Sequence, residues 1–309
     1  MKRLISSCLV VVACALSAAA QPEVPSVASG KIERVTDFPS KYIAPRNIDI
    51  WLPAGYSASE KYAVLYMHDG QMLYDPATTW NKTAWNVDDV AGQLMATNRV
   101  SKFIVVGIWN INKTRHADYF PQKPFASLSP TERDTVVAQL QRAGRTKELF
   151  QPQSDNYLKF IVQELKPYID KHYSVYTNQA NTFIAGSSMG GLISMYALCE
   201  YPKVFGGAAC LSTHWVGSFT PLHNPVPAAF IKYLRQRLPN PKNHKIYFDC
   251  GDKTLDALYP EIQRQVDGVM TAKGYTARTW ATKYFPGADH SETAWNQRLN
   301  IPLEFLFGK

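Results

Sequence analysis

Cysteine is scarce: the 309 residues hold five, and two of these, Cys8 and Cys14, fall in an apolar run near the N-terminus. The other three, Cys199, Cys210 and Cys250, are odd in number and show no paired spacing. That argues against a disulfide framework and against a zinc site, and leaves either one bridge or buried free thiols. Long apolar stretches are also missing. The longest, Cys8 to Leu16, is too short to span a membrane. Although the formal net charge is +8, basic residues are dispersed among acidic ones with no aromatic-interleaved cluster, so nothing marks a nucleic-acid groove. Internal repeats, low-complexity tracts and interdomain linkers are absent. A phosphate-cradling loop is excluded at Gly190-Gly191, because no Lys follows the glycines.

What is present begins with a leader. Lys2 and Arg3 precede the apolar run, and Ser17-Ala18-Ala19-Ala20 supplies small residues before a cut near Gln21. This is the build of a secretory signal peptide over residues 1–20, implying a periplasmic or secreted protein. Val11-Val12-Ala13-Cys14 offers a second reading, in which Cys14 is lipidated. Cleavage after residue 20 removes two positive charges and lowers the formal charge to +6. Residues 21–309 suit a single α/β domain with insertions, and residues 21–40 read as an extended leader with Pro22, Pro25 and Pro39.

Strand and helix patterns alternate along that domain. Asn47–Leu52, Tyr62–Met67, Phe103–Trp109, Gly207–Leu211, Lys245–Cys250 and Arg278–Phe285 read as strands. Helical spacing runs over Asp155–Ile169, interrupted at Pro167, and over Val226–Leu238 and Leu258–Ala272. Such alternation predicts a mostly parallel central sheet with helices on both faces. Reactive groups in such sheets sit at the strand carboxyl ends.

One stretch falls at such an end: Thr-Phe-Ile-Ala-Gly-Ser-Ser-Met-Gly-Gly-Leu, from Thr182 to Leu192. A short apolar run breaks at Gly186 and a helical pattern begins after Gly191, so Ser188 sits at a sharp strand-to-helix turn flanked by Gly186 and Gly190. Small neighbours allow the tight bend of a nucleophile elbow. A serine hydroxyl is a poor nucleophile near neutral pH, so an imidazole must take its proton and a carboxylate must orient the imidazole. His290, after the last strand, is the candidate base. The loop after Lys245–Cys250 supplies Asp249, Asp252 and Asp256, of which Asp256 is preferred as the acid and Asp252 is the alternative. Backbone N–H groups of Met189, after the serine, and Gln71, in His68-Asp69-Gly70-Gln71, are the candidate oxyanion donors. His214 is a candidate substrate contact.

Together, Met67-His68-Asp69-Gly70-Gln71 with Tyr74-Asp75-Pro76, the glycine-flanked elbow, Phe248-Asp249-Cys250-Gly251 leading to Asp256, and Gly287-Ala288-Asp289-His290-Ser291-Glu292 with Trp295 resemble the putative esterase family of α/β-hydrolases. That family includes feruloyl and acetylxylan esterases of carbohydrate esterase family 1, esterase D, enterochelin esterases and mycolyltransferases. The resemblance covers about residues 32–308 and implies an α/β-hydrolase fold and a serine esterase with no metal or organic cofactor. In feruloyl esterases of the family the acid often stands three residues after the glycine, where this chain has Thr254.

Residues 110–154 lengthen one strand-to-helix connection and carry Tyr119, Phe120, Phe125 and Phe150 with Arg115, Arg142 and Arg145. They read as a lid or acyl-pocket insert, or as a packed excursion with its own helix. Trp109 and Trp215 are further candidates for substrate contact. The substrate expected is an acyl or feruloyl ester, polysaccharide-linked because export suits a polymer target. Hydrolysis of a siderophore or other small ester, acyl transfer, and a glycan-binding protein on a hydrolase scaffold are the competing readings.

Overall fold

The computed structural model describes residues 23–147 and 149–309. The expected signal peptide and Cys14 lie outside the described residues. Eight strands form one sheet: β1 (Lys31–Phe38), β2 (Arg46–Leu52), β3 (Ala63–His68), β4 (Phe103–Ile108), β5 (Thr182–Ser187), β6 (Gly207–Leu211), β7 (Lys245–Cys250) and β8 (Trp280–Tyr284). Their order is β1-β2-β4-β3-β5-β6-β7-β8. The first two strands pair antiparallel, β2 pairs antiparallel with β4, and every pairing from β4 to β8 is parallel. The expected fold class holds.

Burial on both faces explains why the central strands read as unbroken apolar runs rather than alternating ones. Along β3, Val64 and Tyr66 enter one core cluster while Ala63, Leu65 and Met67 enter the other. The first cluster is roofed by the helices Met189–Glu200 and Val226–Arg237, and the second by Val87–Ala96 and Asn300–Phe307.

Two local expectations are corrected. Residues 31–38 are an edge strand, not extended leader, and only Phe38 among them is buried, which masks the apolar signal. The helix around Pro167 is not interrupted: Ser154–Phe160 and Lys166–His172 are joined by a π-helical turn, Ile161–Leu165. A wider turn before proline lets the chain continue where the ring would clash with an α-helical carbonyl. Cys199, Cys210 and Cys250 are free and buried. The 110–154 segment contributes Tyr119, Phe120, Phe125, Val136, Leu140 and Phe150 to the first core cluster, so much of it is packed into the domain.

Candidate active site

The parallel strands β3 and β5 to β7 deliver their carboxyl-end loops to one rim of the sheet. There β5 turns into the helix Met189–Glu200, and Ser188 lies between them at φ 57° and ψ −121°. Such a conformation is unfavourable for a residue with a Cβ and persists only where the surroundings fix it. Here the Ser188 N–H donates to Leu211 O at 2.9 Å, and Ser188 O accepts from His214 N–H at 3.2 Å and from Leu192 N–H at 3.0 Å. Gly186 is obligatory for the bend: a Cβ there would lie 2.8–2.9 Å from the Gly190 backbone.

Asp256 stands in a 3-10 turn, Thr254–Leu258, and is fully buried. Its Oδ1 is 2.6 Å from His290 Nδ1. Its Oδ2 accepts from Ser212 Oγ at 2.7 Å and from the Gly251 N–H at 2.6 Å. Ser212 Oγ in turn accepts from Trp295 Nε1 and from Arg298, each at 2.9 Å. Arg298 also pairs with buried Asp249 at 3.0 Å. A buried carboxylate is tolerated only when hydrogen-bonded in this way. Thr254 accepts the His290 N–H through its hydroxyl at 2.9 Å. Asp252 is occupied elsewhere: it accepts from Tyr284 Oη at 2.8 Å and the Gly287 N–H at 2.9 Å, holding the last loop rather than the imidazole.

Tyr259 connects the parts. Its hydroxyl lies 2.7 Å from Nδ1 of His214, whose backbone N–H donates to Ser188 O, and its ring is edge-on to that of His290 with centroids 5.8 Å apart. Tyr259 therefore packs on the imidazole directly and reaches the serine backbone through His214. Burial pushes the Tyr259 phenol well above its ordinary range, so it stays protonated. His214 is 1% exposed, and burial, then the charges around it, keeps it neutral.

Beyond β3, Asp69 at φ 58° opens a tight turn, Gly70–Met72. This loop abuts the elbow, since a Cβ on Gly190 would sit 3.3 Å from His68 Cβ and 3.5 Å from Asp69 Oδ2. Gly70 is packed so closely on β4 that a Cβ would lie 2.6 Å from the Gly107 carbonyl carbon. Arg115 grips Asp69 with two hydrogen bonds of 2.7 Å, and Asn110 adds a third at 2.7 Å. Burial raises the Asp69 carboxyl, but Arg115 outweighs it and the pKa is lowered. The Gln71 side chain bridges to Asn110, accepting its N–H at 3.1 Å. Met189 begins the helix, where first-turn N–H groups have no intrahelical acceptor.

One expected contact, Trp215, is corrected, and Trp109 has a partner in the protein. Trp215 is fully buried, packs on Phe248 and donates to Gln263 at 2.8 Å, a core role. Trp109 donates to Asp49 at 2.8 Å under the Arg34 guanidinium, toward the β1–β2 side of the sheet. Sequence reasoning missed Tyr259, Ser212, Arg298 and the Arg115–Asp69 pair. Asp69 and Trp295 carried a signal, as part of the resemblance.

Comparison with known proteins follows the same lines. Residues 44–306 match the family model described as "Putative esterase". An endo-1,4-beta-xylanase/feruloyl esterase of Xylanibacter ruminicola is 26% identical over 90% of this chain and 31% of the relative, so the chain spans under a third of that protein. An IroE-like serine hydrolase from Shewanella oneidensis superposes with TM-score 0.63 at 20% identity, over 90% of this chain and 80% of its own. A ferulic acid esterase from Anaeromyces mucronatus gives TM-score 0.61 at 18% identity, over 92% of each chain. With its mostly parallel sheet and glycine-flanked elbow, the chain belongs to the putative esterase family of α/β-hydrolases and is an ester hydrolase.

Proposed function

We propose that the protein is an exported serine carboxylesterase that acts through an acyl-enzyme on acyl or feruloyl esters of polysaccharides. The observation that carries this reading is the 2.6 Å bond from Asp256 to His290 Nδ1, on the same rim as the strained Ser188.

Asp256 holds the proton of His290 on Nδ1, leaving Nε2 as the base. Nε2 takes the Ser188 proton as Oγ adds to the ester carbonyl carbon. The negative charge passes to the carbonyl oxygen, where the Met189 and Gln71 N–H groups receive it. Collapse breaks the bond to the alcohol oxygen, which leaves with the proton from His290. Water, deprotonated by the same imidazole, then releases the acid and restores Ser188.

The polysaccharide reading draws on two relatives: one whose name joins xylanase to feruloyl esterase, and the ferulic acid esterase of similar fold. Export draws on the leader, with the mature chain starting at Gln21. Methyl ferulate, acetylated xylan and 4-nitrophenyl acetate, offered side by side to purified protein, test the substrate. Release of ferulate or of xylan-bound acetate is expected; turnover of the nitrophenyl ester alone would leave a hydrolase and remove the polysaccharide assignment.

A further inference from the structure

The insert brings two arginines to the site rim, and only one is neutralised. Arg115 is committed to Asp69 by a bidentate pair. Arg145, in the turn after the helix Pro130–Arg142, has no carboxylate partner among the described residues. Instead its guanidinium lies over the Phe219 ring, 4.5 Å from the centroid. The same Phe219 ring packs on His214 with centroids 5.2 Å apart. Neither partner is loose: the Arg145 N–H is fixed to Leu140 O at 2.9 Å, and Asn224 clamps the loop around Phe219 through Val216 O, Ser218 Oγ and Thr220 O.

A second observation points to the same place. His214 Nε2 is buried and has no hydrogen-bond partner among the described residues, although the other ring nitrogen is tied to Tyr259. A phenol is a far stronger acid than a neutral imidazole N–H, so the Tyr259 O–H donates to His214 Nδ1. The neutral ring then carries its proton on Nε2, a buried donor without an acceptor, which is an unfavourable state until an oxygen meets it.

We infer that the rim beside Ser188 takes esters carrying a carboxylate, held between the Arg145 guanidinium and His214 Nε2–H. The residues form a continuous path, Arg145 to Phe219 to His214, whose backbone N–H donates to Ser188 O at 3.2 Å. A carboxylate spans a charged donor and a neutral one with its two oxygens, whereas a neutral acyl chain would leave both unmet. The inference rests on the esterase reading above, with a test whose neutral controls report on that reading separately.

Two pairs of esters place the charge on either half of the substrate. On the acyl half, 4-nitrophenyl butyrate is compared with the 4-nitrophenyl monoester of glutaric acid; on the alcohol half, phenyl acetate is compared with 4-acetoxybenzoate. In the full-length protein, Arg145→Gln is expected to lower the charged-to-neutral ratio of kcat/KM about tenfold in at least one pair, chiefly through KM. Neutral-ester turnover stays unchanged, and Arg145→Lys retains part of the preference. Added salt shrinks the wild-type ratio. Ratios unaltered by Arg145→Gln in both pairs would overturn the anion subsite while leaving the hydrolase intact; a wild type inert toward the neutral esters would remove the hydrolase reading and the subsite with it.

Discussion

Among single residues, the aspartates of the acid loop are the ones that the structure separates most clearly. Three aspartates compete in the sequence, and the hydrogen bonds divide them: Asp249 pairs with Arg298, Asp252 ties the last loop, and Asp256 meets His290. Asp256→Asn is accordingly expected to lower kcat by about 10⁴-fold, as loss of the orienting carboxylate reverses the imidazole tautomer. Asp252→Asn should leave kcat within about threefold and lower thermal stability slightly. Steady-state kinetics with 4-nitrophenyl acetate separates the two; equal losses would contradict the division. Ser212→Ala removes one hydrogen bond from Asp256 and strands donors on Trp295 and Arg298, so kcat should fall more than tenfold with little change in KM. Ser212 and Arg298 were illegible in the sequence because neither belongs to a local motif; they reach Asp256 only through the folding of β6, β7 and the last helices onto one rim.

For the elements, backbone geometry decides what sequence pattern could announce. The elbow was legible because its constraint is local: a strand, a bend and a helix within eleven residues, with glycine where a Cβ would strike backbone. Gly186→Ala is expected to destabilise by about 2 kcal/mol or more, since the added methyl would sit 2.8 Å from the Gly190 carbonyl carbon. Urea denaturation checks it; an unchanged midpoint would mean that the turn yields easily. By contrast β1 was hidden, being an edge strand whose pairing with β2 gives it order without an apolar signature. The turn at Pro167 misled for another reason, because a π-helical turn resolves a clash that a purely α-helical pattern makes prohibitive.

Considered as a whole molecule, the protein buries several histidines as neutral groups. Burial pushes both His68 and His116 down to about 3, and shifts His214 downward as well. An unfolded histidine titrates near 6.5, so between about 6.5 and 3 the unfolded chain binds more protons than the folded one. The contribution is complete above about pH 6.5 and is lost progressively as pH falls toward 3. Denaturation midpoints across this window should decline with acid, and His116→Gln should flatten part of the decline; a parallel curve would contradict a neutral buried His116. Alternating strands and helices made the layered architecture readable, while the meeting of residues from four distant loops was beyond any local pattern. The role proposed for Ser188 is most directly examined by treating wild type and Ser188→Ala with a fluorophosphonate and weighing the intact proteins. A single adduct on the wild type, mapped to Ser188 and absent from a folded Ser188→Ala with no ester turnover, is the predicted result; labelling or undiminished turnover in the variant would contradict it.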